Sequence, residues 1–176
     1  MQQLQVNELT PYLQDLVALL IDCVDDGASI GFIPPLARDE ALQYWQAVEQ
    51  SLATPERAML IALDDQQQLL GTIQLSMTAK PNGHHRAEVE KLMVHTRARG
   101  QGIGKALILA AEPLAVKHGR HLMVLDTRLG DVASALYRRV GYQEAGQIPG
   151  FALNGEGTYD ATVYFYKHLS TASKEA

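Results

Sequence analysis

The chain contains 176 residues, 47% of them hydrophobic, and carries a formal net charge of −5. That length is enough for one domain with a sizeable core and too short for two ordinary domains. The acidic balance argues against a general nucleic-acid-binding protein, and the lack of an apolar run of about 18 residues argues against a membrane-spanning one. The N-terminal stretch does not resemble a leader sequence, and the single cysteine, Cys23, has no partner for an internal disulfide. We therefore expect a cytoplasmic protein.

The first 53 residues show the patterns of one strand and two helices. Gln3–Leu9 alternates in polarity, which predicts a strand. Thr10 and Pro11 have the residue types of a helix N-cap and a first helical position. Apolar residues then recur at helical spacing, which predicts a helix over Pro11–Asp25. After the breaker-rich connection DDGASIGFIPPL, a second helix is predicted over Arg38–Ala53.

The rest of the chain shows alternating segments followed by a mixture of helical and strand patterns. The predicted bounds are strands Arg57–Leu63, Leu69–Met77 and Arg86–His95, a helix Gln101–His118, a strand His121–Thr127, a helix Asp131–Val140, and two strands between Tyr142 and Lys167. This order predicts a mixed sheet with helices on both faces. We expect one domain over residues 1–169 and a frayed tail over residues 170–176.

The stretch ARGQGIGKAL places three glycines at alternate positions, which is typical of a loop where the backbone approaches a phosphate. A P-loop needs glycine where Arg99 stands and Ser or Thr where Ala106 stands. The dinucleotide fingerprint needs its third glycine where Lys105 stands. A strand-to-helix turn without a ligand is a further alternative, although three glycines would then cost chain entropy without a purpose.

The spacing R-G-Q-G-I-G fits the pattern [QR]-x-x-G-x-[GA], and with it the sequence resembles the GNAT superfamily of acetyl-CoA-dependent N-acetyltransferases. The preceding strand KLMVH and the later stretch ASALYRRVGY, which fits A-x-x-L-Y-x-x-x-G-[YF], carry the same resemblance along nearly the whole chain. It implies a single α/β (α+β) domain with a mixed, mostly antiparallel sheet of about seven strands. It also implies four helices in total, distributed over both faces of the sheet, and a splayed central pair of parallel strands.

The resemblance implies acetyl-CoA as co-substrate, and the sequence shows no metal motif. The first turn of a helix leaves N–H groups unpaired, so the backbone of residues 101–105 is expected to face the diphosphate of the coenzyme. The resemblance places the pantetheine arm along the fourth predicted strand, where one amide would polarise the acetyl carbonyl. The predicted cofactor-binding residues are Leu92, Met93, Val94, Arg99, Gly100, Gln101, Gly102, Ile103, Gly104 and Lys105.

Acetyl transfer to an amine needs a base for the ammonium proton and an acid for the departing thiolate. Tyr137 matches the family tyrosine and is the predicted acid, with a packed helix tyrosine as the alternative. Resemblance to the tabtoxin-resistance members of the superfamily places their acidic pair on Glu88 and Asp126, which we predict to take the proton directly or through a water. Solvated strand carboxylates are the alternative, and Glu90 is the reserve candidate. Gly130 stands where the family often has asparagine, so a coenzyme contact through that side chain is missing.

These residues predict an N-acetyltransferase whose partner is a small-molecule amine and neither a nucleic acid nor a membrane. The stretches RAEVEKLMV, KPNG and LDT resemble the tabtoxin-resistance members, which implies an amino-acid-like or β-lactam acceptor and a role in toxin or antibiotic resistance. The segment DGASIGF, with Trp45 and the loop KPNGHH, is predicted to form a wall of the acceptor site, with a simple linker as the alternative. Hairpins at the end of the sheet favour a homodimer. A non-catalytic acyl-CoA sensor and a protein or peptide N-acetyltransferase remain as alternatives.

Overall fold

Seven strands and four α-helices form within residues 1–170, the part of the chain that this computed structural model describes. The strands are β1 Gln2–Val6, β2 Arg57–Leu63, β3 Leu69–Met77, β4 Arg86–Val94, β5 Leu122–Arg128, β6 Gln143–Leu153 and β7 Tyr159–His168. The helices are α1 Leu13–Asp25, α2 Arg38–Leu52, α3 Ile103–Lys117 and α4 Val132–Arg139. Of the predicted tail, residues 171–176 lie outside the described residues.

The strands join in one sheet with the order β1-β2-β3-β4-β5-β7-β6. The central neighbours β4 and β5 run parallel, whereas the other neighbouring strands run antiparallel. The connection between β4 and β5 contains α3, as a parallel crossover requires. The predicted mixed, mostly antiparallel sheet with a central parallel pair is therefore confirmed.

Helices cover the two faces of the sheet unequally. On one face, α3 buries Leu107, Ile108 and Ala111 against a core that also receives Met123 and Phe165. On the other face, α1 and α2 form a core that takes its strand residues from β1 to β4 only. The half of that face formed by β5, β7 and β6 contributes nothing to this second core. In residues 1–170, no helix combines the length and apolar character needed to cross a membrane.

The start of α1 differs from the predicted one. Thr10 is not the N-cap of a helix beginning at Pro11, because Thr10–Tyr12 forms a 3₁₀ turn and α1 begins at Leu13. The turn is instead capped from α2, where Glu49 Oε1 accepts hydrogen bonds from the N–H groups of Leu9 at 2.6 Å and Thr10 at 3.0 Å. A long-range cap of this kind leaves no local signal in the sequence.

Cys23 lies in the core beneath α1, and its side chain is almost fully buried. Burial raises the pKa of the Cys23 thiol to about 11, and Sγ lies 3.6 Å from the carbonyl oxygen of Val94. A buried thiol that stays protonated at neutral pH is a poor nucleophile. Cys23 is therefore a core residue that packs α1 against β4.

Candidate active site

The central strands β4 and β5 separate after three paired rows. Pairing runs from Arg86 opposite Leu122 to Glu88 opposite Val124, and β4 continues to Val94 without a strand on its β5 side. The gap opens toward the carboxyl ends of both strands, where ligands of open sheets bind. The predicted splayed pair is thus confirmed, and it leaves polar backbone groups of β4 available to a ligand.

A β-bulge lies in β4 at the level of the gap. Gln74 of β3 faces Glu90, whereas Thr72 faces Met93, so one extra residue is inserted in β4 between these rows. Lys91, within the bulge, adopts the left-handed region with φ of +49°. An inserted residue reverses the faces to which later side chains point. Val89 consequently packs toward α3, while Met93 packs into the core beneath α1 and α2.

The three predicted pantetheine-binding residues therefore have different side-chain environments. Met93 is buried beneath α1 and α2, while Leu92 and Val94 pack at the edge of the core beneath α3. The carbonyl oxygen of Val94 accepts a hydrogen bond from Arg99 Nε at 3.4 Å. Because these side chains pack in or against the two cores, the part of these residues that remains for a ligand in the gap is the backbone. A role through backbone groups is what the sequence predicted for them.

The glycine loop after β4 presents backbone N–H groups at the N-terminus of α3. Gly100 and Gly102 have left-handed φ angles of +76° and +79°, and a Cβ at either position would meet nothing within 4 Å. The first helical N–H to find an acceptor belongs to Ala106, which donates to Gly102 O at 2.9 Å. Across the described residues, the N–H groups of residues 100–105 make no hydrogen bond. Free N–H groups at the positive end of a helix suit a diphosphate.

The side chains of this loop differ in how freely they could contact a ligand. Ile103 is buried in the core, so only its N–H faces outward. Arg99 forms an ion pair with Asp26 and is half-exposed, which ties part of its charge to the connection after α1. Gln101 and Lys105 are exposed. Gly104 fits closely between elements, since a Cβ there would lie 3.5 Å from Leu136 of α4 and 3.7 Å from Val94.

Glu88 and Asp126 lie together on the face of the sheet that α1 and α2 leave partly open. Asp126 accepts a hydrogen bond from Thr162 Oγ1 at 2.7 Å. Partial burial, and then the charges of Glu90 and Asp126, raise the pKa of the Glu88 carboxyl. Glu90, the reserve candidate, is instead engaged by Arg57 at 3.0 Å. The structure thus brings the two predicted carboxylates together and gives the third one a structural partner.

Tyr137 lies on α4 next to Leu136, the residue that touches the glycine loop. Its side chain is 6% exposed and packs against Tyr142 and Phe165, with ring centroids 6.0 Å and 5.8 Å away. Burial, and then the charges of Asp131 and Asp126, raise the pKa of the Tyr137 hydroxyl above its ordinary value. The hydroxyl therefore stays protonated at neutral pH, as a proton donor must.

A cleft of about 570 Å³ opens between the connection after α1 and the β6–β7 hairpin. Its walls come from the segment DGASIGF, the end of β5 and the hairpin turn; they include Phe32, Arg128, Asn154 and Asp160. The turn is held close to the connection, because a Cβ at Gly155 would lie 2.8 Å from Pro34. Arg128 and Asp126 lie two residues apart on β5, which places the acidic pair on the same face as the cleft.

Two of the three predicted wall elements are absent from this cleft. Trp45 is fully buried and donates its indole N–H to Leu16 O at 2.8 Å, so it is a core residue. The loop KPNGHH lies at the opposite end of β4, where His85 O accepts from the His121 N–H at 2.7 Å. Only DGASIGF forms a wall, and the β6–β7 hairpin supplies the wall that the sequence did not predict.

Sequence reasoning also missed Lys91, Tyr164 and Thr162, which surround the acidic pair or the gap. Tyr164 pairs with Asp126 across β5 and β7, and Thr162 bonds to Asp126. For Lys91 a signal existed, since the apolar alternation of β4 slips by one position between Val89 and Leu92. Such a slip indicates a bulge. For the β7 residues no local signal existed, because their position depends on the strand order.

Comparison with known proteins identifies relatives of this chain. The family model described as "Acetyltransferase (GNAT) family" matches residues 17–142, more than half of the chain. An uncharacterized N-acetyltransferase of Azospirillum brasilense, encoded between hisH and hisA, is 31% identical over 118 residues, which cover 66% of this chain and 68% of the relative.

Solved structures share the fold at lower identity. A GNAT superfamily phosphinothricin acetyltransferase from Sinorhizobium meliloti, in complex with acetyl-CoA, superimposes with a TM-score of 0.78 at 18% identity, covering 100% of this chain and 93% of that one. A ribosomal-protein-alanine N-acetyltransferase from Brucella melitensis superimposes with a TM-score of 0.76 at 20% identity, covering 94% and 99%.

Proposed function

Because the chain belongs to the GNAT family of acetyltransferases, we propose that it transfers the acetyl group of acetyl-CoA to the amine of a small molecule in a ternary complex. The observation that carries this proposal is the gap between β4 and β5. Free backbone N–H groups lie at the gap beside α3, and two carboxylates lie at the gap on the opposite face of the sheet. A donor and an acceptor that enter from opposite faces meet there without competing for space.

The glycine loop fits the diphosphate of acetyl-CoA. The unpaired N–H groups of residues 100–105 would hold its oxygens, and the open space beside Gly100 and Gly102 leaves room for them. Lys105 adds an exposed positive charge, while Arg99 is shared with Asp26. The backbone from Leu92 to Val94 would pair with the pantetheine arm, and one N–H there would polarise the acyl carbonyl. The complex of the Sinorhizobium meliloti relative with acetyl-CoA supports this choice of donor.

The acidic pair would take the proton from the acceptor ammonium. Acetyl-CoA supplies an activated thioester, and the amine must lose its proton before it can attack. Glu88 has a raised pKa, which makes its carboxylate a better base than an ordinary glutamate. Asp126, held by Thr162, would orient the amine or a bridging water. Tyr137, kept protonated by burial, would return a proton to the departing thiolate.

The cleft volume favours a small acceptor. About 570 Å³ accommodates a molecule of amino-acid or dipeptide size, and the polar lining suits an amine that carries other polar groups. We include β-lactam dipeptides among the candidate acceptors, because the resemblance to the tabtoxin-resistance members would place their acidic pair on Glu88 and Asp126. Resistance to such a toxin would be the corresponding role in the cell. We place the reaction in the cytoplasm, where acetyl-CoA is available.

A second copy of the chain is the protein partner that we propose. Strand β6 forms one edge of the sheet, and its outer side is exposed along almost its whole length. Ile148, Phe151 and Leu153 are each more than 40% exposed on this strand. An exposed, partly apolar edge favours pairing with another chain. Light scattering at several concentrations tests this, and a monomer at every concentration would exclude the homodimer.

The proposed reaction is tested by thiol release from acetyl-CoA with a panel of amines. The panel contains amino acids, polyamines, aminoglycosides, β-lactam dipeptides and peptides with free N-termini. The wild-type protein should release thiol with at least one small amine, while Asp126→Asn should bind acetyl-CoA and turn over slowly. Turnover on peptides alone would favour the protein N-acetyltransferase. Binding of acetyl-CoA without turnover on any amine would favour the acyl-CoA sensor.

A further inference from the structure

Lys91 is a partly buried cation that points into the acceptor side of the gap. It lies in the bulge of β4, where the left-handed backbone directs the side chain toward α2 and the connection after α1. Nζ lies 5.8 Å from the ring centroid of Phe32 and 5.6 Å from that of Tyr44. A Cβ at Gly31 would lie 3.6 Å from Nζ, so the backbone of this glycine closes a third side.

No carboxylate within residues 1–170 pairs directly with this ammonium, although the charges of Glu90, Asp126 and Glu88 lie close enough to act on it. Throughout residues 1–170, Lys91 Nζ forms neither a hydrogen bond nor an ion pair, although it carries three donor hydrogens. Burial raises the pKa of Tyr44 to about 12, so the phenol is neutral at physiological pH. Burial also lowers the pKa of the Lys91 ammonium, as expected for a cation that has lost water without gaining a partner.

Two of the neighbouring carboxylates have other partners, and the third, Glu88, forms no ion pair with Lys91 in the described residues. Glu90 accepts from Arg57 at 3.0 Å, and Asp126 accepts from Thr162 at 2.7 Å. Arg128, the cation that lines the cleft, already has Asp160 at 3.7 Å. Lys91 is therefore the cation on this side of the gap that has room for an anion from outside. Nζ is not among the fully buried polar atoms without a partner, so it keeps contact with solvent.

The cleft and the acidic pair adjoin Lys91. Phe32 both lines the cleft and contacts Lys91, and the bulge places Lys91 on the same face of β4 as Glu88. An acceptor that extends from the cleft past Phe32 would meet the negative charges of the acidic pair and the positive charge of Lys91. Aromatic walls reduce competition from water, which strengthens a charged hydrogen bond.

We propose that Lys91 binds a carboxylate group of the acceptor, so that the preferred substrates are amines that carry a carboxylate near the amino group. This inference rests on the proposed acetyltransferase function and names the class of acceptor. Lys91 would act as a specificity residue: it selects the acceptor by charge and takes no part in proton transfer.

The test compares matched acceptors that differ only in charge. Thiol release is measured for amino acids and for the amides of the same amino acids, with the wild-type protein and with Lys91→Met, which keeps the length and removes the charge. We expect Lys91→Met to lower kcat/KM for the carboxylate acceptors by about 10- to 100-fold and to leave the amides within about threefold. Comparing the two proteins on each acceptor cancels the different basicities of amino acids and amides.

Lys117→Met is the matched control, because Lys117 is exposed in the last turn of α3, away from the cleft. This variant should keep the wild-type preference. If Lys91→Met loses activity equally on carboxylates and amides, or if the wild-type protein shows no preference, Lys91 does not bind the carboxylate and the proposal is overturned. In both of these cases the acetyltransferase function itself stands.

A binding measurement separates this proposal from the proposed reaction. The N-acetyl derivatives of the same amino acids and amides are titrated by calorimetry into the protein saturated with coenzyme A. We expect the carboxylates to bind at least about tenfold more tightly than the amides, and Lys91→Met to remove the difference. Binding of this kind without any thiol release would overturn the reaction and keep the Lys91 site. Equal binding of carboxylates and amides would overturn the Lys91 site.

Discussion

Glu88 and Asp126 extend from two strands that separate between them, and both lie on the same face of the sheet. Glu88 stands in the last paired row, opposite Val124, and Asp126 follows two residues later on β5. Partial burial raises the pKa of Glu88, and the negative charges of Glu90 and Asp126 raise it further. Two carboxylates at the mouth of the gap thus form a proton acceptor whose strength depends on both residues.

The first prediction concerns the pH profile. If Glu88 is the base, kcat/KM rises with pH as its carboxyl loses its proton, at a pH above the ordinary glutamate range. Replacing Asp126 with Asn removes one of the charges that raise the Glu88 pKa, so the acid limb should move to lower pH. Maximal activity should fall at the same time, by about 10²-fold or more if Asp126 also positions the amine. The profile is measured by thiol release at constant ionic strength.

The control for this pH prediction is Glu8→Gln, which removes an exposed carboxylate between β1 and the Thr10–Tyr12 turn. It should leave both the midpoint and the height of the profile unchanged. The acidic pair would be excluded as the base by two results together. The acid limb of the profile would stay at the same pH in Asp126→Asn, and it would still be present in Glu88→Gln and in the double variant.

A second prediction concerns Tyr137. Tyr137→Phe should keep acetyl-CoA affinity and lower kcat by about 10²- to 10⁴-fold, because the ring still packs against Phe165 and only the proton donor is lost. Tyr142→Phe is the matched control: this buried tyrosine packs against the ring of Tyr137, and its hydroxyl donates to Met123 Sδ at 3.5 Å. Equal losses in the two variants would show that Tyr137 has only a packing role.

A third prediction concerns the glycine loop. Gly104 is a suitable position, because its backbone is helical and a Cβ would make only ordinary contacts, the nearest at 3.5 Å. An aspartate in the first turn of a helix stabilises the helix, so Gly104→Asp should fold well and yet repel a diphosphate. We expect its Kd for acetyl-CoA to rise by about 100-fold or more, and that of Gly104→Asn, of the same size without the charge, to rise much less. Calorimetry measures both, and equal affinities in the two variants would contradict the diphosphate site.

The element order and the glycine loop were predictable because they depend on local patterns. Residues at helical spacing formed α1 to α4, and the alternation of β2 to β4 gave strands with bounds within one residue of those predicted. Gly141, just after α4, adopts a left-handed φ of +90°, as glycine commonly does at the end of a helix. These features need only neighbours in the sequence.

The acceptor side was predictable only in part, because it is assembled from distant segments. The wall from the β6–β7 hairpin depends on β7 pairing between β5 and β6, which no local pattern specifies. For Trp45 the prediction was wrong in the opposite direction. This aromatic residue was expected to line the acceptor site, but its side chain fills the core. Lys91 combines both difficulties: its position between Phe32 and Tyr44 depends on one inserted residue in β4 and on the packing of α2 beside it.

The last prediction concerns the close contact between Gly71 of β3 and Met93 of β4, which lies beside the bulge. A Cβ at Gly71 would lie 2.4 Å from the carbonyl oxygen of Met93 and 3.3 Å from Leu107, so Gly71→Ala forces β3 and β4 apart beside the gap. We expect a loss of about 1–3 kcal/mol in the free energy of unfolding, measured with urea, together with weaker binding of acetyl-CoA. Gly104→Ala is the control, because its Cβ has space and alanine favours the helix; its stability should be unchanged or higher. If Gly71→Ala unfolds at the same urea concentration as the wild-type protein, the strands adjust freely at this point. The lack of a side chain at residue 71 would then not be what fixes the bulge.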